Sequence, residues 1–245
     1  MPADSRVLPR SVALALLWTE LDAPHTATLL FDDDEPHTLG ARPLLEACRE
    51  LDARHVWPVL PAPGDPQGLP PGAAAHAVVA GEAVVVEHPG GTTVLVPDVV
   101  PFGTELEPGV LVRWRAHDGA GVRGPAVSPG EARLALHAAL QEAIAELTAL
   151  DVAKERPDLR EAFLDLTGPP DRDTDALTHG LDDRRAELLL RAVRVLTITA
   201  LAAQDDGAAV TAGQMNARSA VLRELERSAR AAVAVASVQV VRRRS

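Results

Sequence analysis

The chain is expected to be an α+β protein, with a small mixed or antiparallel sheet and its helices over residues 1–127 and an all-helical bundle over residues 128–245. Three observations point there. Of its 20 prolines, 16 fall in residues 1–127, which keeps the elements of that Pro-rich α/β domain short and interrupted. The same stretch holds short β-rich runs bounded by Pro and Gly. The back half instead repeats Ala and Leu at helical spacing for many turns.

The elements follow in order. Ser11 ahead of Val12 to Leu21 reads as a capped apolar helix. Thr26 to Phe31 is open between strand and short helix, because so few residues settle no period. Pro43 to Ala53 puts Leu44, Ala47, Cys48 and Leu51 on one helical stripe. His55 to Leu60 is β-rich and runs into Pro61-Ala-Pro-Gly-Asp-Pro-Gln-Gly-Leu-Pro-Pro-Gly72, too dense in Pro and Gly for helix or strand, hence a loop. Ala73 to Ala80 suits a short helix closed by Gly81. Ala83 to Glu87 and Thr92 to Val96 make a hairpin across Pro89-Gly90-Gly91. Val110 to Arg115 alternates Leu111, Arg113 and Arg115 against Val110, Val112 and Trp114, the mark of a strand with one wet face. A sheet with helices on one side follows.

Ser128-Pro-Gly-Glu131 combines a hydroxyl cap, Pro at the first helical position and a Glu able to bond back. Leu136, Leu140, Ala143, Ile144, Leu147 and Leu150 continue that helix. Pro157 to Leu166 gives a shorter one, and Asp171 to Gly180 a polar linker. A third helix starts at Asp182 or Asp183 and runs to about Gln204, where Asp205-Asp206-Gly207 breaks it. Thr211-Ala-Gly-Gln214 caps a fourth, whose stripe of Met215, Leu222, Leu225, Ala229, Ala232, Val233 and Ala236 leads to Gln239. Four helices with short connections imply a bundle, and the many Ala positions allow close approach within the chain or across a dimer interface.

Composition bounds the function. An apolar content of 47% suffices for a core, and the formal charge of −11 argues against a general binder of nucleic acid. That charge is uneven: residues 1–127 carry 8 basic and 17 acidic side chains, residues 128–245 carry 16 and 18. Lys154 is the sole lysine, a bias expected of GC-rich DNA. Cys48 stands alone, so no internal disulfide forms, and it reads as an inert thiol on a helix face. Arg6 and Arg10 precede an apolar run, but Glu20 and Asp22 follow at once, unlike an export signal. No stretch is long enough to span a membrane, so the cytoplasm is expected.

Asp32-Asp33-Asp34-Glu35 with His37 could supply hard-cation ligands, yet it lacks the spacing and Gly of a calcium loop and reads as a solvated turn. The loop 61–72 follows a strand end, where ligands commonly sit, and Asp65, His76 and Asp98 are its polar candidates for ligand binding. It has neither a Lys or Ser/Thr to complete a phosphate cradle nor a G-x-G-x-x-G pattern. The 8 histidines show no metal-ligand spacing, His137 beside an apolar stripe included, and no G-x-S-x-G elbow marks a nucleophile, so no metal, cofactor or catalytic residue is expected. Residues 206–232 loosely imitate a helix-turn-helix with Arg218, Arg223, Arg227 and Arg230 as contacts. With nothing to break it after Gly213, one long helix with a solvated Arg face is the simpler reading. The terminal Arg242-Arg243-Arg244 reads as a frayed tail.

Phe31-Asp-Asp-Asp-Glu-Pro-His-Thr38, the loop from Val59 to Pro70 and Leu147-Thr-Ala-Leu-Asp-Val-Ala153 together carry a resemblance. By these landmarks the chain resembles, over nearly its whole length, a family of uncharacterised proteins from high-GC bacteria. The resemblance implies that both halves belong together and that the loop is a family feature; it brings no activity. The leading expectation is a non-catalytic cytoplasmic protein that forms a homodimer, or binds a partner, through its Ala/Leu-rich helices. One alternative is a small-molecule binder or enzyme using the loop 61–72, and the other a DNA-binding regulator acting through the 211–239 helix.

Overall fold

The computed structural model describes residues 8–31, 35–104, 107–149, 175–203 and 212–241. These form a mixed α/β protein, with a seven-stranded sheet built mainly from the N-terminal part and long helices in the C-terminal part. In chain order the elements are α1 (Arg10–Leu16), a 3-10 turn (Leu17–Glu20), α2 (Thr26–Leu30), β1 (His37–Leu39), β2 (Arg42–Pro43) and α3 (Leu44–Glu50). Then come β3 (His55–Val59), α4 (Pro71–Ala80), β4 (Ala83–His88), β5 (Gly91–Gly103), β6 (Pro108–Asp118) and α5 (Pro129–Ala149). The last are α6 (Asp175–Thr178), α7 (Asp183–Ala203), α8 (Ala212–Ala236) and β7 (Gln239–Val240). Two compact units result: one holds the chain up to Ala126, Asp175–Gly180 and the segment from Ser237, the other the remainder.

In the first unit the strand order is β2-β1-β6-β5-β4-β3-β7. Only β1 on β6 is parallel, with His37 opposite Val112, and the other pairs are antiparallel. The hairpin across Pro89-Gly90 has His88 opposite Gly91, and β5 and β6 stay paired from Thr93↔Asp118 to Gly103↔Pro108. The alternation read in β6 holds: Val112 and Trp114 are buried, Arg113 and Arg115 exposed.

Helices cover both faces of this sheet, not one. Val56, Val84, Val86, Leu95, Val112 and Trp114 pack with Leu14, Leu17 and Leu44 from the α1 to α3 side. Trp57, Val59, Val85, Val94 and Val96 pack with Leu69, Ala73 and Ala77 from the α4 side. The run Ala83-Val-Val-Val86, wholly buried, is the sequence mark of a strand apolar on both faces.

Several local expectations change. Ser11 lies inside α1 rather than capping it. Its amide donates to Glu82 Oε2 at 2.7 Å, so a buried carboxylate from the sheet side satisfies that helix start. The helix itself tightens into the 3-10 turn at Leu17. Thr26–Leu30 is helical. The expected linker 171–180 contains α6, with Thr178 buried and Leu177 packed on the first unit's core; residues 171–174 lie outside the described residues.

In the second unit α5 and α7 both pack on α8. Leu136, Leu188, Leu189 and Leu225 are buried among them. The box at Ser128 is formed as read: its amide donates to Glu131 Oε2 at 2.8 Å and the Glu131 amide donates back to Oγ at 3.3 Å. The Ser128 amide and hydroxyl hold the Glu131 carboxyl below the usual carboxylate range. Asp182 Oδ1 accepts the amides of Arg184 and Arg185 at 3.2 and 3.1 Å and caps α7.

α7 and α8 run antiparallel, each ending against an arginine of the other. Arg218 of α8 donates to the Ala202 carbonyl at 2.8 Å, and Arg185 of α7 donates to the Ala236 carbonyl at 2.9 Å. Both carbonyls belong to last turns, where no intrahelical donor remains and a cation meets the negative end of the macrodipole.

α8 stops at Ala236 and does not reach Gln239. Residues 239–240 form β7, strand structure beyond Ser128 that the sequence did not suggest, pairing His55 with Val240 and Val56 with Gln239. The expected helix Pro157 to Leu166, the break at Asp205 to Gly207, the Thr211 cap and the Arg242 to Arg244 tail lie outside the described residues.

Candidate functional site

The loop 61–72 is built by its own polar groups. Ala62 and Asp65 exchange backbone hydrogen bonds at 3.0 and 2.9 Å around Pro63-Gly64, with Gly64 at the left-handed φ of +82° that such a turn requires. Asp65 Oδ1 accepts the Gln67 amide at 3.3 Å, and Gln67 Oε1 accepts the Leu60 amide at 2.9 Å. These two bonds hold Gln67 at φ +51°, uncommon for a side chain of its kind. The last two loop residues, Pro71 and Gly72, already start α4. Asp65 therefore shapes the loop.

The other two candidates lie on the α4 side of the sheet. His76 of α4 sits with its ring centroid 4.8 Å from that of His117 on β6. Asp98 of β5 takes a hydrogen bond from Arg115 Nη2 at 2.6 Å. Arg115 and His117 are alternate residues of one strand and so share a face, which joins the two pairs into a row. Burial, then His76 and Arg115, push the His117 imidazole below its ordinary range.

Glu35 and His37, read as part of a solvated turn, belong instead to a buried polar cluster. Arg10 donates to Glu35 Oε1 through Nε at 3.0 Å and Nη2 at 2.6 Å, with side chains only 12% and 6% exposed. Trp114 Nε1 donates to His37 Nδ1 at 3.1 Å. The indole only donates, so Nδ1 is the acceptor and the ring proton of neutral His37 sits on Nε2, 3.9 Å from Glu35 Oε1. Phe31 lies against the imidazole at 4.2 Å between centroids. A carboxylate beside an imidazole can move a proton. Here the guanidinium neutralises the carboxylate and two aromatic rings flank the imidazole, an arrangement that locks β1 onto β6. Asp32, Asp33 and Asp34 lie outside the described residues.

In the second unit α8 is uninterrupted through residues 217–219, so it forms no helix-turn-helix there. Its arginine face is only half solvated: Arg223 and Arg227 are exposed, but Arg218 and Arg230 are each 6% exposed, one on the Ala202 carbonyl and one on Glu226. A cavity of about 180 Å³ opens between α7 and α8, lined by Thr199, Ala202, Met215, Arg218, Leu222 and Glu226 among others. Cys48 lies buried in α3 with its thiol pushed up to about 12, which fits the inert role read for it.

Among the described residues, one group of side chains has metal-ligand character: Glu20, His25 and His179. Sequence reasoning missed it because His179 is far along the chain and its segment looked like a linker. Glu20 and His25 on either side of Pro24 give no metal spacing. The buried Arg10–Glu35–His37–Trp114 cluster was missed for a like reason, since its members come from α1, the approach to β1, β1 itself and β6.

No curated protein and no solved structure matches the chain. Residues 5–129 match the N-terminal domain of the Rv1486c-like protein, and residues 130–234 match the C-terminal domain of the same protein. With nearly the whole length covered by these two domains, the chain belongs to the Rv1486c-like family.

Proposed function

We propose that the protein is non-catalytic and cytoplasmic and works as a homodimer, the helices of its second unit forming a bundle that meets the same surface of a second copy. Two exposed apolar side chains carry this reading: Leu201 at 52%, near the end of α7, and Met215 at 38%, which lines the cavity between α7 and α8. Arg223 and Glu226 line it as well, so one patch offers both signs of charge. A two-fold interface needs such self-complementarity, because each residue meets the partner's copy of the same surface.

Neither alternative gains comparable support. On the loop 61–72 the Asp65 carboxylate shapes the turn through the Gln67 amide. A DNA contact along α8 would need arginines, of which two are turned to the protein. The buried single thiol suits a reducing compartment. Sedimentation velocity at micromolar concentration should give a dimer for the natural chain and a monomer of unchanged helicity for Leu201→Glu with Met215→Glu. A natural chain that sediments as a monomer overturns the proposal.

A further inference from the structure

We propose that Glu20, His25 and His179 form a site for one divalent transition metal of the zinc class, which clips the segment 175–180 to the first unit. Glu20 ends the 3-10 turn, His25 precedes α2 and His179 follows α6. Both imidazoles turn Nε2 toward one carboxylate: His25 Nε2 lies 3.0 Å from Glu20 Oε2, and His179 Nε2 lies 3.0 Å from Glu20 Oε1. The two rings stand edge-on, 67° apart, with centroids at 6.2 Å. One ligand atom from each residue can be chosen so that all lie within 4.8 Å. Around a tetrahedral zinc, bonds of about 2.0–2.1 Å set ligand atoms roughly 3.4 Å apart. Small rotations of half-exposed side chains, 52% for His25 and 48% for His179, close that difference.

The donor set selects the metal. Two imidazoles with one carboxylate suit zinc, cobalt or nickel, whereas magnesium and calcium want oxygen throughout. Three protein ligands leave a coordination position open to water.

The ligand-bearing backbone is fixed on both sides. Next to His25, Thr26 is fully buried and its hydroxyl donates to the Glu20 carbonyl at 2.5 Å; the Ala23 amide donates to the same carbonyl at 2.8 Å. Arg49 holds the intervening turn through the Leu21 carbonyl at 2.6 Å and Asp22 at 2.8 Å. Next to His179, Thr178 is 6% exposed and Leu177 packs on the core. Only the side chains need to move when metal arrives, so little ordering entropy opposes binding. Glu20 and His25 belong to the part matching the N-terminal family domain, and His179 to the part matching the C-terminal one. A bound ion would thus close a loop of more than a hundred residues, where a clip restrains the unfolded chain most.

This inference stands apart from the dimer reading. The tag-free full-length chain, stripped with a chelator, is titrated with zinc alone by calorimetry and with cobalt alone by visible absorption. One equivalent should bind, with the intense visible bands of cobalt in a four-coordinate site. His179→Ala and, from the other segment, His25→Ala should each weaken binding by about 100-fold or more, beyond the loss of an outer-shell partner. His137→Ala, an exposed histidine of α5, should titrate like the natural chain. Zinc should also slow hydrogen exchange across 175–180 in the natural chain and not in Glu20→Ala. Absence of binding to the natural chain, or binding that His179→Ala and His25→Ala leave unchanged, overturns the site.

Discussion

The two units differ in how their enclosed arginines are held, Arg230 on Glu226 apart. In the first, strands bring distant side chains together and the polar cluster is made of side chains alone: Arg10 on Glu35, Trp114 on His37. In the second, the buried Arg218 and the half-buried Arg185 reach main-chain carbonyls at the ends of neighbouring helices. A sheet pairs its own backbone along its ladders, so what is left over is side-chain chemistry. Closely packed helices leave their last carbonyls over, and a long side chain with fixed charge is needed to reach them. Arginine therefore means different things in the two places, and charge counts along α8 could not tell a capping residue from a solvated one.

The comparison can be broken by substitution. The largest effect is expected at Glu35→Gln, which removes a buried negative charge paired with the nearly enclosed Arg10 guanidinium. A loss of about 3 kcal/mol in urea unfolding is expected, and a loss within error would show that the cluster does not hold β1 on β6. Arg218→Ala should cost less, about 2 kcal/mol, for one charge-assisted bond to a helix end. Arg185→Ala should behave alike, and if both are silent the mutual capping of α7 and α8 is without weight. Ser128→Ala removes the box that starts α5 and should lower Tm by a few degrees.

The smallest effect is one of pH. His117 is held below its ordinary value of 6.5, so the unfolded chain takes up this proton more readily than the folded one. Its contribution is present above that value and fades as pH falls below it. His117→Asn should therefore flatten the fall in stability on the acid side of neutrality, and an unchanged pH profile would count against the burial of that ring.

What could be read from sequence was whatever is written within a few residues. Pro89-Gly90-Gly91 gave the hairpin, the alternation through Arg113, Trp114 and Arg115 gave β6, and Ser128 with Glu131 gave the start of α5. What needs partners from afar stayed hidden. β1 is three residues long and becomes a strand because His37 to Leu39 find Val112 to Trp114. β7 exists only because β3 offers an edge. Glu35 and His37 were legible as a motif but not as buried, since a run of acids ahead of them reads as solvated. Helices on both faces were hinted at by Ala83-Val-Val-Val86, a run that lacks the alternation of a half-wet strand. Of the three candidates, His76 and Asp98 share a row with His117 and Arg115, while Asp65 went to the loop it was chosen from. The group Glu20, His25 and His179 needed coordinates, because α6 carries a residue of the second half of the chain back to the first unit.

The central functional claim is that the second unit carries the interface while the Arg10–Glu35–His37–Trp114 cluster of the first is internal. Hydrogen exchange followed from submicromolar to high micromolar protein tests this directly. The account predicts that protection grows with concentration in peptides from the end of α7 and the start of α8, around Leu201 and Met215, and stays constant across β3 to β6. Protection that ignores concentration everywhere, or that rises on the sheet and not on those helices, would contradict it.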